Sequence, residues 1–274
     1  MTSEPNQERA QFSGAIPENY ERYMVPMLFA PYADDLVARV AARPPSDLLE
    51  VAAGTGVVTR RLADALPATS ITATDLSPEM VAFAATKGTC RPVTWRDADI
   101  MALPFADEQF DVVVCQFGVM FLPDRPQGYA ELRRVLRPGG ALVCNTWTGP
   151  ETNDFMRTTV AALIGCFPDD PPVQLAAKVH GYHDQTQIRA DLAAGGFQPT
   201  AVEIELLELR SRAATNDHPA IAYCQGSPMR EAIETRHPGR LADATAAVSA
   251  AIARDYGTTD LDARMGALII TATK

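Results

Sequence analysis

Short apolar segments alternate with helical segments between residues 48 and 147, and this alternation constrains the fold more than any other feature. The apolar runs lie at residues 48–53, 70–75, 92–96, 110–116 and 141–147. Strands that alternate with helices of about ten residues are typical of βαβ units and a parallel sheet. Because the run VVVC is apolar without alternation, we expect strands that are covered by helices on both faces.

The pattern changes after residue 148, where a segment rich in Pro and Asp extends to residue 183. Two more strands are predicted at 200–209 and 267–273, with helices between them. We therefore predict an α/β fold, a Rossmann-like, doubly wound, mostly parallel sheet of seven strands with an antiparallel edge strand and helical lid insertions. Its predicted parts are a tail with lid helices (1–45), a Rossmann-like core (46–148), and lid helices with the final strands of the same domain (149–274).

The segment near the amino end carries helical periodicity between residues 17 and 41, following a first dozen residues that are predicted to be a loose tail. Pro26 and Pro31 interrupt this periodicity. Since proline removes a backbone donor and clashes with the preceding turn, we expect two short helices with a bend between them.

Charge and composition exclude several classes of protein. The chain has 24 Lys and Arg against 34 Asp and Glu, a net charge of −10, which disfavours nucleic acid and anionic membrane surfaces as partners. No apolar stretch approaches the twenty or so residues of a membrane span. Residues 1–11 lack the basic and apolar regions of a secretory signal, so we expect a cytoplasmic location.

The five cysteines lie far apart and form no C-x-x-C pair. This spacing predicts neither a disulfide framework nor a metal site. Cys115 and Cys144 each lie in an apolar run and are interpreted as core residues, with a catalytic thiol as the alternative.

The segment LLEVAAGTG, which ends at Gly56 and leads into a helix, carries the most information about function. Its glycines permit a sharp turn and leave backbone N–H groups open to a ligand. Downstream, the predicted second strand ends in Asp75, where a carboxylate can accept hydrogen bonds from both hydroxyls of a ribose. Together these features predict a cofactor that contains a nucleoside; the alternative is a structural turn with a surface aspartate.

A dinucleotide cofactor is less well supported. The motif G-x-G-x-x-G would need a glycine where this chain has Thr59, and no Tyr-x-x-x-Lys pair is present.

Five motifs in order resemble those of class I S-adenosylmethionine-dependent methyltransferases. They are LLEVAAGTGVVTR, ITATDLSPEM, DADIMALPF, FDVVVCQFGVMFLPD and ELRRVLRPGGALV. The resemblance extends from about residue 48 to 147 and is nearest to the small-molecule branch that includes ubiquinone and menaquinone biosynthesis methyltransferases. Ala52 departs from the glycine of the stricter consensus.

The resemblance implies that S-adenosylmethionine is the cofactor and that it lies over the carboxyl ends of the strands. Glu50 would orient the methionine ammonium group, and Asp75 would bind the ribose. Asp99 would accept from the adenine amino group, whereas Gln116 and Phe117 would line the methyl end. The full set of implied cofactor-binding residues is Glu50, Ala52, Gly54, Gly56, Asp75, Leu76, Asp99, Ile100, Gln116 and Phe117.

The methyl acceptor is predicted to be a small, mostly apolar molecule that binds under elements outside the core. The candidate pocket residues are Tyr20, Tyr23, Met24, Phe121, Trp147 and Tyr182. His180 and His183 are candidates for a general base, because histidine titrates near neutral pH; the alternative is that they are ordinary loop residues. The acceptor atom, oxygen, nitrogen or carbon, stays open, and no metal is expected.

Two other functions stay open. A regulatory or assembly protein that binds the cofactor without turning it over would need the same cofactor site. A nucleic-acid or protein methyltransferase is the other alternative. For nucleic acid, the charge is unfavourable, and Cys115-Gln116-Phe117-Gly118 stands where a base-flipping Asn/Asp-Pro-Pro-Tyr motif would be expected. The oligomeric state is open as well, a homodimer included.

Overall fold

The computed structural model describes residues 16–274, so the predicted tail over the first dozen residues lies outside the described part. The chain forms two compact units. The sheet unit comprises Tyr32–Trp147, Tyr182–Leu207 and Ala267–Lys274. The helical unit comprises residues 16–31, Thr148–Gly181 and Glu208–Gly266.

Within the described residues, seven strands form one sheet in the order β3-β2-β1-β4-β5-β7-β6. The strands are β1 (Asp47–Glu50), β2 (Ser70–Asp75), β3 (Thr94–Asp97), β4 (Phe110–Gln116), β5 (Leu136–Trp147), β6 (Val202–Thr215) and β7 (Thr259–Thr273). The first five pair in parallel, and β7 runs antiparallel to β5. The fold class predicted from the sequence is thereby confirmed. The strand order reverses between β1 and β4, where open α/β sheets bind their ligands.

The α-helices of the sheet unit follow the predicted alternation. They are α2 (Ala30–Ala41), α3 (Val57–Ala65), α4 (Pro78–Lys87), α5 (Arg125–Val135) and α8 (Gln185–Ala194). Helix α4 begins with Pro78, and the hydroxyl of the preceding Ser77 accepts a hydrogen bond from the N–H of Met80 at 3.2 Å.

The helical unit is built around a long helix rich in alanine. Its elements are α1 (Ile16–Asn19), a π-helical segment (Tyr20–Phe29), α6 (Asp154–Cys166), α7 (Gln174–His180), α9 (Asp217–Gln225), α10 (Met229–Arg236) and α11 (Leu241–Tyr256). Helix α11 packs against α6 and α9 through the face that carries Ala244, Val248, Ala251 and Ile252. Whether this unit acts as a lid stays a prediction. No helix in the described part of the chain is long and apolar enough to cross a membrane.

The segment with the two prolines is helical, and the bend expected there stays a prediction. Helical residues run without a gap from Ile16 to Ala41. Pro26 lies inside the π-helical segment, and at the end of that segment Ala30 donates its N–H to the carbonyl of Val25. Pro31 lies in the first turn of α2, where a missing N–H costs little.

The later strands are longer than predicted. The fifth strand was predicted over residues 141–147, but β5 already begins at Leu136. Gly139 takes a φ of 78° there, which a glycine adopts easily. Its N–H donates to the carbonyl of Lys274 at 3.0 Å, so this irregular segment is held beside the end of β7.

The interior of the sheet unit is apolar on both faces, as the unbroken apolar runs predicted. Val113, Val114 and Leu142 are fully buried. Cys115 and Cys144 face each other as register partners on β4 and β5, and both are fully buried free thiols. The prediction that they are core residues is confirmed.

Candidate active site

The turn that follows β1 has left-handed backbone at three positions. Ala52, Gly54 and Gly56 have φ angles of 53°, 55° and 80°. A Cβ atom on Gly56 would lie 2.8 Å from Cη2 of Trp95, so this position must be glycine on packing grounds as well. Ala52 holds a conformation that costs a residue with a Cβ about 1–2 kcal/mol. The turn is therefore tight and fixed in shape.

Asp75, at the end of β2, is bonded directly to this turn. Its Oδ2 accepts from the N–H of Gly54 at 2.8 Å, and its Oδ1 accepts from the N–H of Ser77 at 2.9 Å. Burial raises the pKa of Asp75, against the backbone N–H groups of Ser77, Gly54 and Leu76, which lower it. A carboxylate has about four acceptor positions, and Asp75 is half-buried. It can therefore accept two further hydroxyl groups, as a ribose requires.

Glu50, at the end of β1, is a buried carboxylate with only 2% of its surface exposed. The hydroxyl of Thr59 donates to its Oε2 at 2.6 Å. Burial raises the pKa of Glu50 to about 8; the charge of Asp75 adds to this, while the Thr59 hydrogen bond and the charge of Arg60 oppose it. No residue of the described range forms an ion pair with Glu50. A ligand ammonium group would supply the missing cation, so Glu50 fits the amino-acid part of the implied cofactor.

A second acidic segment lies beside Asp75. The N–H of Ala98 donates to the carbonyl of Asp75 at 2.9 Å. Asp99 then caps a 3₁₀ helix over Ile100–Ala102, with its Oδ1 accepting from the N–H of Met101 at 2.8 Å. Asp99 and Ile100 are half-buried, so both are accessible to a ligand.

An aromatic cluster follows the end of β4. Gln116 is half-buried, and Phe117 is buried with a left-handed φ of 53°. The N–H of Phe117 donates to Oδ1 of Asn145 at 2.8 Å. The Phe117 ring stacks on Trp147 with centroids 3.8 Å apart, and Tyr32 meets both rings edge-on. The rings hold one another at the sheet edge where the methyl end is predicted.

The predicted cofactor residues thus come together at the carboxyl ends of β1 to β4. The other candidates divide between the two units. Tyr20, Tyr23 and Met24 lie on the π-helical segment of the helical unit. Phe121 ends a short 3₁₀ helix of the sheet unit. The role of these four as pocket residues stays a prediction.

The three candidates around residue 182 differ in environment. Tyr182 is buried in the sheet unit, and its hydroxyl donates to Asp191 Oδ2 at 2.9 Å. His180 is buried in the helical unit with Nδ1 2.8 Å from the carbonyl of Thr148, whereas His183 is exposed. Their catalytic or binding roles likewise stay predictions.

Sequence reasoning missed three residues of this edge. Thr59 was considered only as a departure from a glycine motif, although its hydroxyl binds Glu50. Asn145 interrupts the apolar run ALVCNTW, and that lone polar residue was an available signal. Tyr32 gave no signal, because nothing in its own segment indicates that it packs on Phe117.

A glycine turn with left-handed backbone, two strand-end carboxylates and the order β3-β2-β1-β4-β5-β7-β6 are the features of a Rossmann-like methyltransferase fold. Residues 49–144 match the family model described as a methyltransferase domain. The resemblance seen in the sequence is thereby confirmed, and the domain and fold indicate S-adenosylmethionine as the cofactor.

Relatives named as methyltransferases match the same part of the chain. A malonyl-[acyl-carrier protein] O-methyltransferase of Hahella chejuensis is 38% identical over 102 residues, which is 37% of each chain. A demethylmenaquinone methyltransferase of Deinococcus radiodurans is 36% identical over 120 residues, covering 43% of this chain and 50% of that one. The chain spans about half the length, or less, of the curated relatives that it matches.

Solved structures extend the likeness to the whole fold. The phosphoethanolamine N-methyltransferase 2 of Haemonchus contortus, in complex with phosphomonomethylethanolamine and S-adenosylhomocysteine, has a TM-score of 0.61. The match covers 100% of this chain and 61% of that one at 17% sequence identity. At this identity the likeness establishes the fold alone.

Proposed function

We propose that this chain is an S-adenosylmethionine-dependent methyltransferase that transfers a methyl group to an oxygen, nitrogen or carbon atom of a small, mostly apolar metabolite. The observation that carries the proposal is the connection of Asp75 to Gly54, with Glu50 buried at the end of the neighbouring strand. An acceptor for ribose hydroxyls and an acceptor for an ammonium group would then lie on either side of one tight turn, which supports the proposal. The methyltransferase domain match and the relatives' names support the reaction type.

The residues present would bind and orient the cofactor. Glu50 would accept hydrogen bonds from the ammonium group, and the turn around Gly54 would leave room for the cofactor to pass closely over the backbone. Asp75 would hold the ribose through its free acceptor positions, and Asp99 would accept from the adenine amino group. When bound, S-adenosylmethionine supplies a methyl group on a positively charged sulfur, which is an activated leaving group.

The remaining task of the protein is to align the acceptor and exclude water. Phe117 and Trp147 form an apolar boundary at the end of β4 and β5, which supports an acceptor with apolar surface. The net charge of −10 favours neutral or cationic acceptors over phosphorylated ones. If transfer is to oxygen, a base is needed, and His180 and His183 are the candidates that we propose for it.

Binding of S-adenosylhomocysteine, measured by calorimetry, tests the cofactor site. We expect Asp75→Ala to weaken binding by about tenfold or more, since two hydrogen bonds to a charged group are lost. Asp64→Ala is the matched control, because Asp64 is exposed in the last turn of α3, at the opposite end of that helix from the glycine turn. Unchanged affinity in Asp75→Ala would show that this carboxylate does not hold the ribose.

Turnover distinguishes the enzyme from a protein that only binds the cofactor. Cell extract is incubated with the protein and S-adenosylmethionine, and mass spectrometry searches for a metabolite that gains one methylene group. With that acceptor, His180→Ala and His183→Ala then test the base. Rates within a few-fold of that of the unsubstituted protein would indicate that neither histidine acts as a base and that the enzyme works by positioning the acceptor and the cofactor. Binding without any such product would favour the regulatory alternative.

A further inference from the structure

The motif ELRRVLRPGGALV has no role in the proposed function so far, yet two of its charged residues contact the segment that follows Asp99. We propose that Glu131 and Arg134 on α5 are positioning residues that hold the segment from Asp99 to Leu103 in place for recognition of the adenine ring. This inference rests on the proposed function, because it assumes that the segment binds adenine.

Glu131 holds the end of that segment through the backbone. Its Oε2 accepts from the N–H of Leu103 at 2.9 Å across 28 positions of sequence. The carboxylate is only 15% exposed. Arg134 donates to both of its oxygens, at 2.8 Å each, so the acceptor is fixed in orientation.

Arg134 holds the same residue through its carbonyl group. Its Nη2 donates to the carbonyl of Leu103 at 2.9 Å, and its Nη1 donates to the carbonyl of Phe105 at 2.8 Å. Nη1 also contacts Asp107 Oδ1 at 2.8 Å. The planar guanidinium group matches this set of acceptors, which a lysine ammonium group cannot do from one position.

The clamped segment is short and cannot hold its own shape. The 3₁₀ helix over Ile100–Ala102 has three residues, and such turns form weak hydrogen bonds. Asp99 caps its beginning, and Glu131 with Arg134 fixes Leu103 at its end. Asp99 caps this helix with one carboxylate oxygen and would face the adenine base with the other. The position of Leu103, at the far end of the helix, therefore determines where the second oxygen of Asp99 lies.

A role in stability alone accounts poorly for this arrangement. The ion pair of Arg134 with Asp107, whose side chain is 75% exposed, contributes little to folding. In addition, the guanidinium group donates two hydrogen bonds to backbone carbonyls of the loop that follows Asp99. The geometry points to control of the loop.

Calorimetry with two ligands tests the inference. S-Adenosylhomocysteine carries the adenine amino group, and S-inosylhomocysteine has an oxygen in its place, which would face the Asp99 carboxylate. We expect the unsubstituted protein to prefer the adenine ligand by about tenfold or more. Arg134→Ala should lower this preference severalfold, toward unity, whereas a purely structural role would weaken both ligands equally. Arg134→Lys should recover it only in part.

One control variant and one substitute variant keep the outcomes separate. Arg137→Ala removes an arginine that pairs with Asp47 and Asp111 at the amino ends of the strands, and it should leave the preference unchanged. Glu131→Gln replaces Arg134→Ala if the latter fails to fold by circular dichroism. Absence of binding to either ligand by the unsubstituted protein would overturn the proposed function. Binding with a preference that survives Arg134→Ala or Glu131→Gln would overturn this inference alone.

Discussion

The hydroxyl of Thr59 donates a 2.6 Å hydrogen bond to Oε2 of Glu50, and both residues are almost fully buried. The bond connects the first turns of α3 to the end of β1, so the orientation of the carboxylate is fixed before any ligand binds. An ionised carboxylate at this depth is unfavourable unless a cation or further donors accompany it. The protonation of Glu50 is therefore coupled to whatever binds beside it.

The affinity for S-adenosylhomocysteine should increase with pH through the upper part of the neutral range. The folded protein holds Glu50 at a pKa of about 8 against an ordinary value of 4.5, and the ligand ammonium group favours the ionised form. Glu50→Gln should bind more weakly and show a flatter pH profile. Calorimetry in buffers of different ionisation enthalpy measures the released proton, and equal heats in all buffers would contradict this coupling.

The same shift predicts how the ligand-free protein responds to pH. Because the folded pKa lies above the unfolded one, the folded state binds more protons between the two values, and the contribution of Glu50 to stability is lost as pH rises from about 4.5 to about 8. Glu50→Gln should remove this decline, which is measured as the melting temperature of both proteins across this pH range.

Thr59→Val keeps the shape of the side chain and removes its donor to Glu50. The pKa of Glu50 should then rise further, because the Thr59 hydrogen bond is the largest of the effects that lower it. We expect a loss of ligand affinity at pH 7 that becomes smaller at higher pH. Thr69→Val is the control, since Thr69 is equally buried and donates to the carbonyl of Pro45. A loss of the same size at every pH would contradict the explanation.

Asn145→Leu should release the left-handed backbone at Phe117. The N–H of Phe117 would lose its acceptor inside the core, at a cost of about 1–3 kcal/mol in the free energy of unfolding. The Phe117 ring should then move away from Trp147. In a Trp95→Phe background Trp147 is the remaining tryptophan of the two in the chain, so its fluorescence reports the change. An unchanged spectrum would mean that the ring stack is independent of Asn145.

Ala52→Gly should stabilise the turn by up to about 1 kcal/mol, because glycine adopts the left-handed conformation without strain. The glycine also loses chain entropy on folding, which limits the gain. Ala53→Gly next to it is the control and should destabilise, since Ala53 is buried and has no left-handed φ. Chemical denaturation measures both, and equal destabilisation would show that Ala52 carries no strain.

Much of the fold followed from local signals. The bounds of β2 and β4 could be predicted because polar turns end both apolar runs, and Asp75 marked the end of β2 by its charge. Pro26 lies in a π-helical segment, and the sequence carries no signal for that winding. The early start of β5 depends on Lys274, which lies more than a hundred residues away.

The clustering of three carboxylates at the strand ends could be predicted, but the residues that hold the nearby backbone and side chains in place could not. Glu50, Asp75 and Asp99 stand in motifs where residue type and position agree. Arg134 and Asn145 act through hydrogen bonds to backbone atoms, and such bonds depend on three-dimensional distances that residue types do not encode. Whether the candidate pocket and base residues of the helical unit have their proposed roles also depends on three-dimensional distances of this kind.

Cys115 and Cys144 are neighbours across β4 and β5, so the reactivity of their thiols reports on local opening of the sheet. Burial raises the pKa of the Cys115 thiol to about 12, and that of Cys144 is raised as well, so neither forms a thiolate readily in the folded protein. Cys90 is exposed and reacts without any unfolding. In a Cys166→Ser, Cys224→Ser background, which removes the two other free thiols, slow labelling after that rapid first step would measure how often the centre of the sheet opens. A bound cofactor should make this opening rarer.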